Sequence, residues 1–216
     1  MSWDEVTHAF FAAAETFDRL LDAPEVIARW DEPSALSGYS VGGIVGHVTM
    51  AVGWLEPMLD TGEPSDVPVL GLGDYYASFK ITGPERSPIH DVIRDLSEEA
   101  ARPGPTLAAE QLQGIVERLC SRLGDERADR TLDLRPVISA AVRLEDFVRT
   151  RVLELVVHAD DLAASVGLEP PEPAPGATAA VLDVLLATAR TAHGDLAVIR
   201  ALARRERASR DVLPVF

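Results

Sequence analysis

Residues 149–162 read Arg149-Thr-Arg-Val-Leu-Glu154-Leu-Val-Val-His158-Ala-Asp-Asp-Leu162, with neither proline nor glycine among them. Around this stretch Leu144, Val148, Leu155, Ala159, Leu162 and Val166 recur at helical spacing. The pattern predicts a helix from about Ile138 to Val166, stopped at Gly167. Glu154 and His158 stand four residues apart and so stack on one face, one turn above the other. With Phe147 they lie just beside the apolar stripe, and Arg151 lies nearer its middle. Ionisable groups aimed at a core need partners, because burying them unpaired is expensive. A divalent cation is one such partner, ligated by neutral imidazole and by carboxylate.

A third ligand is at hand in Val41-Gly-Gly-Ile-Val-Gly-His47-Val48, a second apolar segment that could face the first. Three protein ligands, His47, Glu154 and His158, leave one tetrahedral position open, the pattern of a catalytic zinc site more than a structural one. The plainer alternative is a Glu–His pair on a helix surface with an unrelated histidine at the edge of a core. Arg151 is the candidate catalytic residue, as a clamp for a substrate carboxylate. Its alternative is a buried-edge arginine paired with an acid. Asp161 follows His158 by three and could accept the second ring N–H; its alternative is a simply solvated carboxylate. His8, His90 and His193 have no partner at a useful spacing.

The remaining helices follow the same periodicity. Val6, Phe10, Ala13, Phe17 and Leu20 form an amphipathic stripe over residues 3–21. Ser40 is a plausible N-cap for a helix reaching about Glu56, ended or kinked by Pro57. Three glycines in its first two turns allow something to approach its backbone closely. Residues 60–87 form a long connection holding the aromatic patch Tyr75, Tyr76 and Phe79. A third helix runs over residues 89–123, interrupted by Pro103-Gly-Pro105, and residues 124–137 form a loop.

No segment alternates convincingly as a strand. The expectation is therefore all-α: a four-helix bundle over residues 1–167 with a long crossover, a Pro-rich linker at 168–176, and a short helical extension at 177–216 packed on the bundle. The fourth helix also carries Leu153, Val156 and Val157 away from its inner stripe. The extension or a second copy of the chain, as a homodimer, would cover them.

Composition narrows the function. The chain has 216 residues and a net charge of −15. That balance disfavours nucleic acid, whose sequence-independent binding rests on phosphate neutralisation, and anionic membrane surfaces. No apolar run spans a bilayer and the acidic N-terminus resembles no signal peptide, so the expected location is cytoplasmic. The single cysteine, Cys120, reads as a small buried hydrophobe, so a thiol used in chemistry would come from outside the protein. Lys80 is the only lysine, a bias that points to a GC-rich genome.

Two motifs carry a resemblance. Trp30-Asp-Glu-Pro-Ser-Ala-Leu-Ser-Gly-Tyr-Ser-Val-Gly-Gly-Ile-Val-Gly-His47 is similar to a Trp–Pro–Ser segment leading through Gly-aromatic-Thr/Ser-Val to a metal-binding histidine. Arg151-Val-Leu-Glu154-Leu-Val-Val-His158-Ala-Asp-Asp161-Leu, preceded by Leu144-Glu-Asp-Phe147, is similar to an Arg-x-x-Glu-x-x-x-His-x-x-Asp-Leu signature. Both belong to the mycothiol-dependent maleylpyruvate isomerase family, within the DinB-like metalloenzymes, which the chain resembles over roughly residues 5–167. Tyr39 stands where that family commonly has tryptophan.

The resemblance implies a DinB-like four-helix bundle with zinc on His47, Glu154 and His158. It also implies mycothiol, the actinobacterial small thiol, as cosubstrate. The expected activity is that of a transferase or isomerase in which a metal-activated thiolate attacks a small electrophile. A zinc-dependent hydrolase and a non-enzymatic ligand-binding domain are the alternatives.

Overall fold

The computed structural model describes residues 1–78, 88–135, 137–207 and 212–214; Phe79, Lys80 and the end of the tail lie outside this set. Four helices form the bundle: α1 (Trp3–Leu21), α3 (Val41–Gly53), α7 (Pro105–Leu123) and α8 (Leu144–Val166). Each of α1 and α3 packs against both α7 and α8. Between them lies a core that includes Phe10, Phe17, Ile44, Leu112, Leu119, Leu144, Phe147, Leu155 and Leu162. The fold is all-α, as the helical periodicity indicates, and is consistent with the DinB-like bundle that the resemblance implies.

Local chemistry sets the helix ends. Ser2 and Glu5 close a capping box at the start of α1. The Ser40 hydroxyl accepts from the Gly43 N–H at 2.8 Å, so Ser40 is the N-cap of α3. Gly167 ends α8 in the left-handed region, with φ 78°. The helix expected to reach Glu56 stops at Gly53, and a short α4 (Leu55–Leu59) carries Pro57. Proline has no N–H for the carbonyl four residues back, so an unbroken helix cannot pass this point.

The helix expected over 89–123 is two helices, α6 (Pro88–Ala101) and α7. Gly104, at φ 91°, makes the turn between them. α6 packs on α3 at very close range, because a Cβ on Gly46 would lie 2.1 Å from the Ser97 carbonyl oxygen. That contact is what the glycines of α3 permit, and it brings Ser97 beside His47.

Three expectations need correction. α8 begins at Leu144, not near Ile138, and a small sheet exists. In the sheet β3 (Ala141–Arg143) pairs antiparallel with β2 (Thr131–Asp133) and parallel with β1 (Val69–Leu70). Strands of two or three residues are too short to show an alternating pattern. Cys120 is exposed, because the buried face of α7 runs through Leu112, Ile115, Leu119 and Leu123.

After the linker come α9 (Pro175–His193) and α10 (Asp195–Ala203), with α5 (Leu72–Ser78) earlier in the long connection and α2 (Pro24–Ala28) after α1. α9 packs against α1, α5 and α8, and its Ala177, Ala180, Val181 and Val184 join the main core. Pro171 and Pro173 line a small crevice with Ala13 and Thr16 of α1 and Val156 of α8. Leu153 is buried and Val156 and Val157 are partly buried against the core, so the chain itself covers part of this outer face. Val212 packs with Ala189 and Val198 in a separate small cluster. Among the described residues no helix is long and apolar enough to cross a membrane.

Candidate metal centre

α3 and α8 face each other so that His47 meets Glu154 and His158. One ligand atom from each of the three lies within 4.8 Å of the others. Both imidazoles turn their Nε2 toward the same carboxylate oxygen, Glu154 Oε2, at 3.2 Å from His47 and 3.3 Å from His158. The two rings meet edge to face with centroids 4.8 Å apart. The side chains are 19% (His47), 13% (Glu154) and 13% (His158) exposed, open enough for a small ligand to reach. Among the described residues no other such group occurs, and His8, His90 and His193 stand outside it.

The surrounding hydrogen bonds decide which ring nitrogens carry protons. His158 Nδ1 lies 2.9 Å from Asp161 Oδ2, and a carboxylate can only accept, so Nδ1 donates. The Ser97 hydroxyl gives its proton to the Ile93 carbonyl at 2.7 Å. Its lone pair is then what faces His47 Nδ1, at 3.5 Å. In the neutral imidazoles both Nε2 atoms would therefore carry lone pairs, aimed at a carboxylate oxygen that has only lone pairs to offer. With both rings neutral, three acceptors would converge on one point with no donor among them, so the group takes up a cation there, either a proton on an imidazole or a metal ion.

A proton meets part of that demand. Burial pulls the His158 pKa down, but hydrogen bonds to Asp161 and Glu154 outweigh it and push the value up to about 9. Burial would raise the Glu154 pKa, yet hydrogen bonds from His158 and His47 and the charge of Arg151 hold it well below the usual carboxylate range. The donor set also fits a metal ion. Two imidazole nitrogens and one carboxylate oxygen suit zinc, and three protein donors is the number found where water or substrate completes the site. Each donor residue has an outer partner: Ser97 for His47, Asp161 for His158, and Tyr76 for Glu154, whose Oε1 accepts from the Tyr76 hydroxyl at 3.0 Å.

Arg151 is 3% exposed. The structure directs the donors of this candidate clamp to groups within the protein. Its guanidinium donates to the Ala51 carbonyl at 3.0 Å, to the Tyr75 hydroxyl at 3.1 Å and to Thr150 Oγ1. It lies over the Phe147 ring, 4.4 Å from the centroid, and 4.0 Å from Glu154 Oε1.

Asp161 takes the place expected of it beside His158. Two other neighbours of the group, Ser97 and Tyr76, were not legible as site residues. Ser97 carried no signal, since nothing in α6 marks the turn that meets Gly46. Tyr75 and Tyr76 stood out only as an aromatic pair. Both lie buried on α5, where burial pushes the Tyr76 pKa well up, as does the charge of Glu154, so its hydroxyl remains a donor. Tyr39, noted only as a departure from a family tryptophan, sets its ring edge to face with that of His47, centroids 5.9 Å apart.

The family model described as mycothiol maleylpyruvate isomerase N-terminal domain matches residues 10–163, a span that holds all three converging residues. Neither the comparison with curated proteins nor that with solved structures gave a match.

Proposed function

Because the chain belongs to the mycothiol maleylpyruvate isomerase N-terminal domain family, we propose that it is a metal-dependent transferase or isomerase that joins a small thiol of the mycothiol kind to a small electrophile. The family supports the thiol-related transferase or isomerase role. The metal dependence is supported by one observation, the convergence of His47 Nε2, His158 Nε2 and Glu154 Oε2 on one point while each ring's Nδ1 faces an outer partner.

In this reading His47, Glu154 and His158 hold a divalent cation, most simply zinc. A bound divalent cation favours the thiolate over the thiol and so raises the nucleophilicity of sulfur at neutral pH. The chain's own residues prepare the site for it. Asp161 holds a proton on His158 Nδ1, and Ser97 does the same for His47, so Nε2 is the atom that each ring would offer to a metal once it is neutral. Arg151 supports the ionised form of Glu154 from within the core. With neutral imidazoles and one carboxylate, the loaded centre keeps a formal charge of about +1.

The reacting sulfur comes from a cosubstrate, since Cys120 is exposed on α7 and takes no part in the group. With a conjugated alkene, the sulfur–carbon bond forms at one alkene carbon and the thiol's proton goes to the other. Rotation and reversal then return the thiol and the isomerised alkene.

The test is thiol consumption by the metal-loaded protein with a panel of activated alkenes, epoxides and halides, with and without chelator. Chelator-sensitive acceleration is the expected result. Hydrolysis of esters or amides at the same site, with no dependence on thiol, would move the reading to a zinc hydrolase.

A further inference from the structure

Glu154 is the only anionic donor of the centre, and its two oxygens are treated differently by the fold. Oε2 faces His47 and His158 at 3.2 and 3.3 Å. Oε1 faces the other way, to the Tyr76 hydroxyl at 3.0 Å and to the Arg151 guanidinium at 4.0 Å. Tyr76 is buried, and its hydroxyl also lies 3.5 Å from the Thr150 carbonyl, one turn before Glu154 on α8. The beginning of this helix turn and the carboxylate are thus read by one phenol.

The position of that phenol is set from the C-terminal part of the chain. Tyr76 sits on α5, and α5 lies against α9 through Gly73. A Cβ there would stand 2.4 Å from Thr191 Oγ1 and 2.5 Å from the Ala187 carbonyl oxygen, so only glycine lets the two helices come this close. Residues after the linker therefore fix, through α5, the group that orients a ligand carried by α8.

We propose that Tyr76 is a positioning residue: its hydroxyl occupies Glu154 Oε1 and leaves Oε2 alone to face the two histidines, so that Glu154 serves a metal ion through one oxygen. This rests on the metal reading of His47, Glu154 and His158. The same logic explains why a single carboxylate in a buried setting needs both a hydrogen-bond donor and a nearby positive charge on its far side. Without them the carboxylate can rotate to present both oxygens, and the site gains a donor where a substrate would bind.

The experiment compares Tyr76→Phe with Tyr75→Phe and with the unaltered chain, each loaded with cobalt(II) as a spectroscopic stand-in and titrated separately with zinc against a competing chelator. Loss of an outer partner of a ligand costs about 10–100-fold in metal affinity. Tyr76→Phe is expected to weaken zinc binding within that range. At saturating cobalt it is expected to lower the visible absorption, as a second carboxylate oxygen raises the coordination number. Tyr75→Phe removes a hydroxyl from the same helix that faces Arg151 and is expected to leave the cobalt spectrum unchanged.

Two results overturn the proposal: a Tyr76→Phe protein with the affinity and spectrum of the unaltered chain, or a Tyr75→Phe protein altered to the same degree, which would assign the effect to a loosened α5. If the unaltered chain itself binds neither ion, the metal reading fails instead, and the two failures are told apart.

Discussion

Gly46→Ala tests whether the site depends on how closely α6 approaches α3. An added Cβ would lie 2.1 Å from the Ser97 carbonyl oxygen, 3.1 Å from its carbon and 3.2 Å from the Ala101 nitrogen. Ordinary contact begins at 3.4 Å, so α6 would have to retreat by more than an ångström, and its backbone cannot swing aside as a flexible side chain would. Overpacking of this kind costs about 1–3 kcal/mol, with so short a contact near the upper end. Replacing a mid-helix glycine with alanine returns about 1 kcal/mol in helix propensity. The net expectation is a loss of about 2 kcal/mol in unfolding free energy, read as a lower urea midpoint with an unchanged slope.

The same retreat carries Ser97 away from His47 Nδ1, a contact already as long as 3.5 Å. Zinc affinity should therefore fall by about tenfold. Gly114→Ala is the control. The new Cβ there meets only the Arg118 guanidinium end at 3.2 Å, which can move, so this variant should be neutral or up to about 1 kcal/mol more stable. If Gly46→Ala behaves like Gly114→Ala in both stability and zinc affinity, the close contact between α3 and α6 does not position the centre.

Four further outcomes follow from the same network. In metal-free protein the His158 pKa is raised to about 9, so its contribution to stability is full below its unfolded value of about 6.5 and is lost as pH rises through 9; chelated protein should lose stability over that window in a pH series of urea melts. Because zinc must displace that proton, apparent zinc affinity should climb with pH until about 9. Asp161→Asn replaces the charged acceptor that holds the His158 proton on Nδ1 with a neutral amide, so an NMR titration should show the His158 pKa lowered from about 9, with zinc affinity down by about 10–100-fold. Arg151→Met should destabilise the fold by about 1–3 kcal/mol, because buried acceptors such as the Ala51 carbonyl lose their donor; a variant as stable as the unaltered chain would return Arg151 to the role of a substrate clamp.

How far the sequence reached depends on where each signal is stored. The spacing of Glu154 and His158 is local, since four residues on a helix fix a common face whatever the surroundings, and Asp161 one turn on is equally local. His47 needed only the expectation that two apolar helices pack together. Helix caps at Ser40 and Gly167 are written in single residues. Tyr76 and Ser97 are different. Tyr76 reaches Glu154 across 78 positions of sequence and Ser97 reaches His47 across 50, and neither α5 nor α6 carries a pattern that names the partner.

Arg151 shows the limit of reading a helical wheel. Its place near the middle of the apolar stripe foretold burial, but not that Ala51, Tyr75 and Thr150 would take up its donors. The small sheet was illegible for the opposite reason: β1 is two residues long and is paired from far along the chain.

The central claim is that His47, Glu154 and His158 form one metal centre, and competitive zinc titration tests it most directly. It should be run on the unaltered chain and on His47→Ala and His158→Ala, with circular dichroism to confirm that each variant is folded. The account predicts one zinc ion per chain, released by chelator, with binding weakened by at least 100-fold in either variant, because two remaining donors hold zinc poorly against water. Zinc that fails to bind stoichiometrically to the unaltered chain, or that binds equally well to folded His47→Ala and His158→Ala proteins, would contradict it.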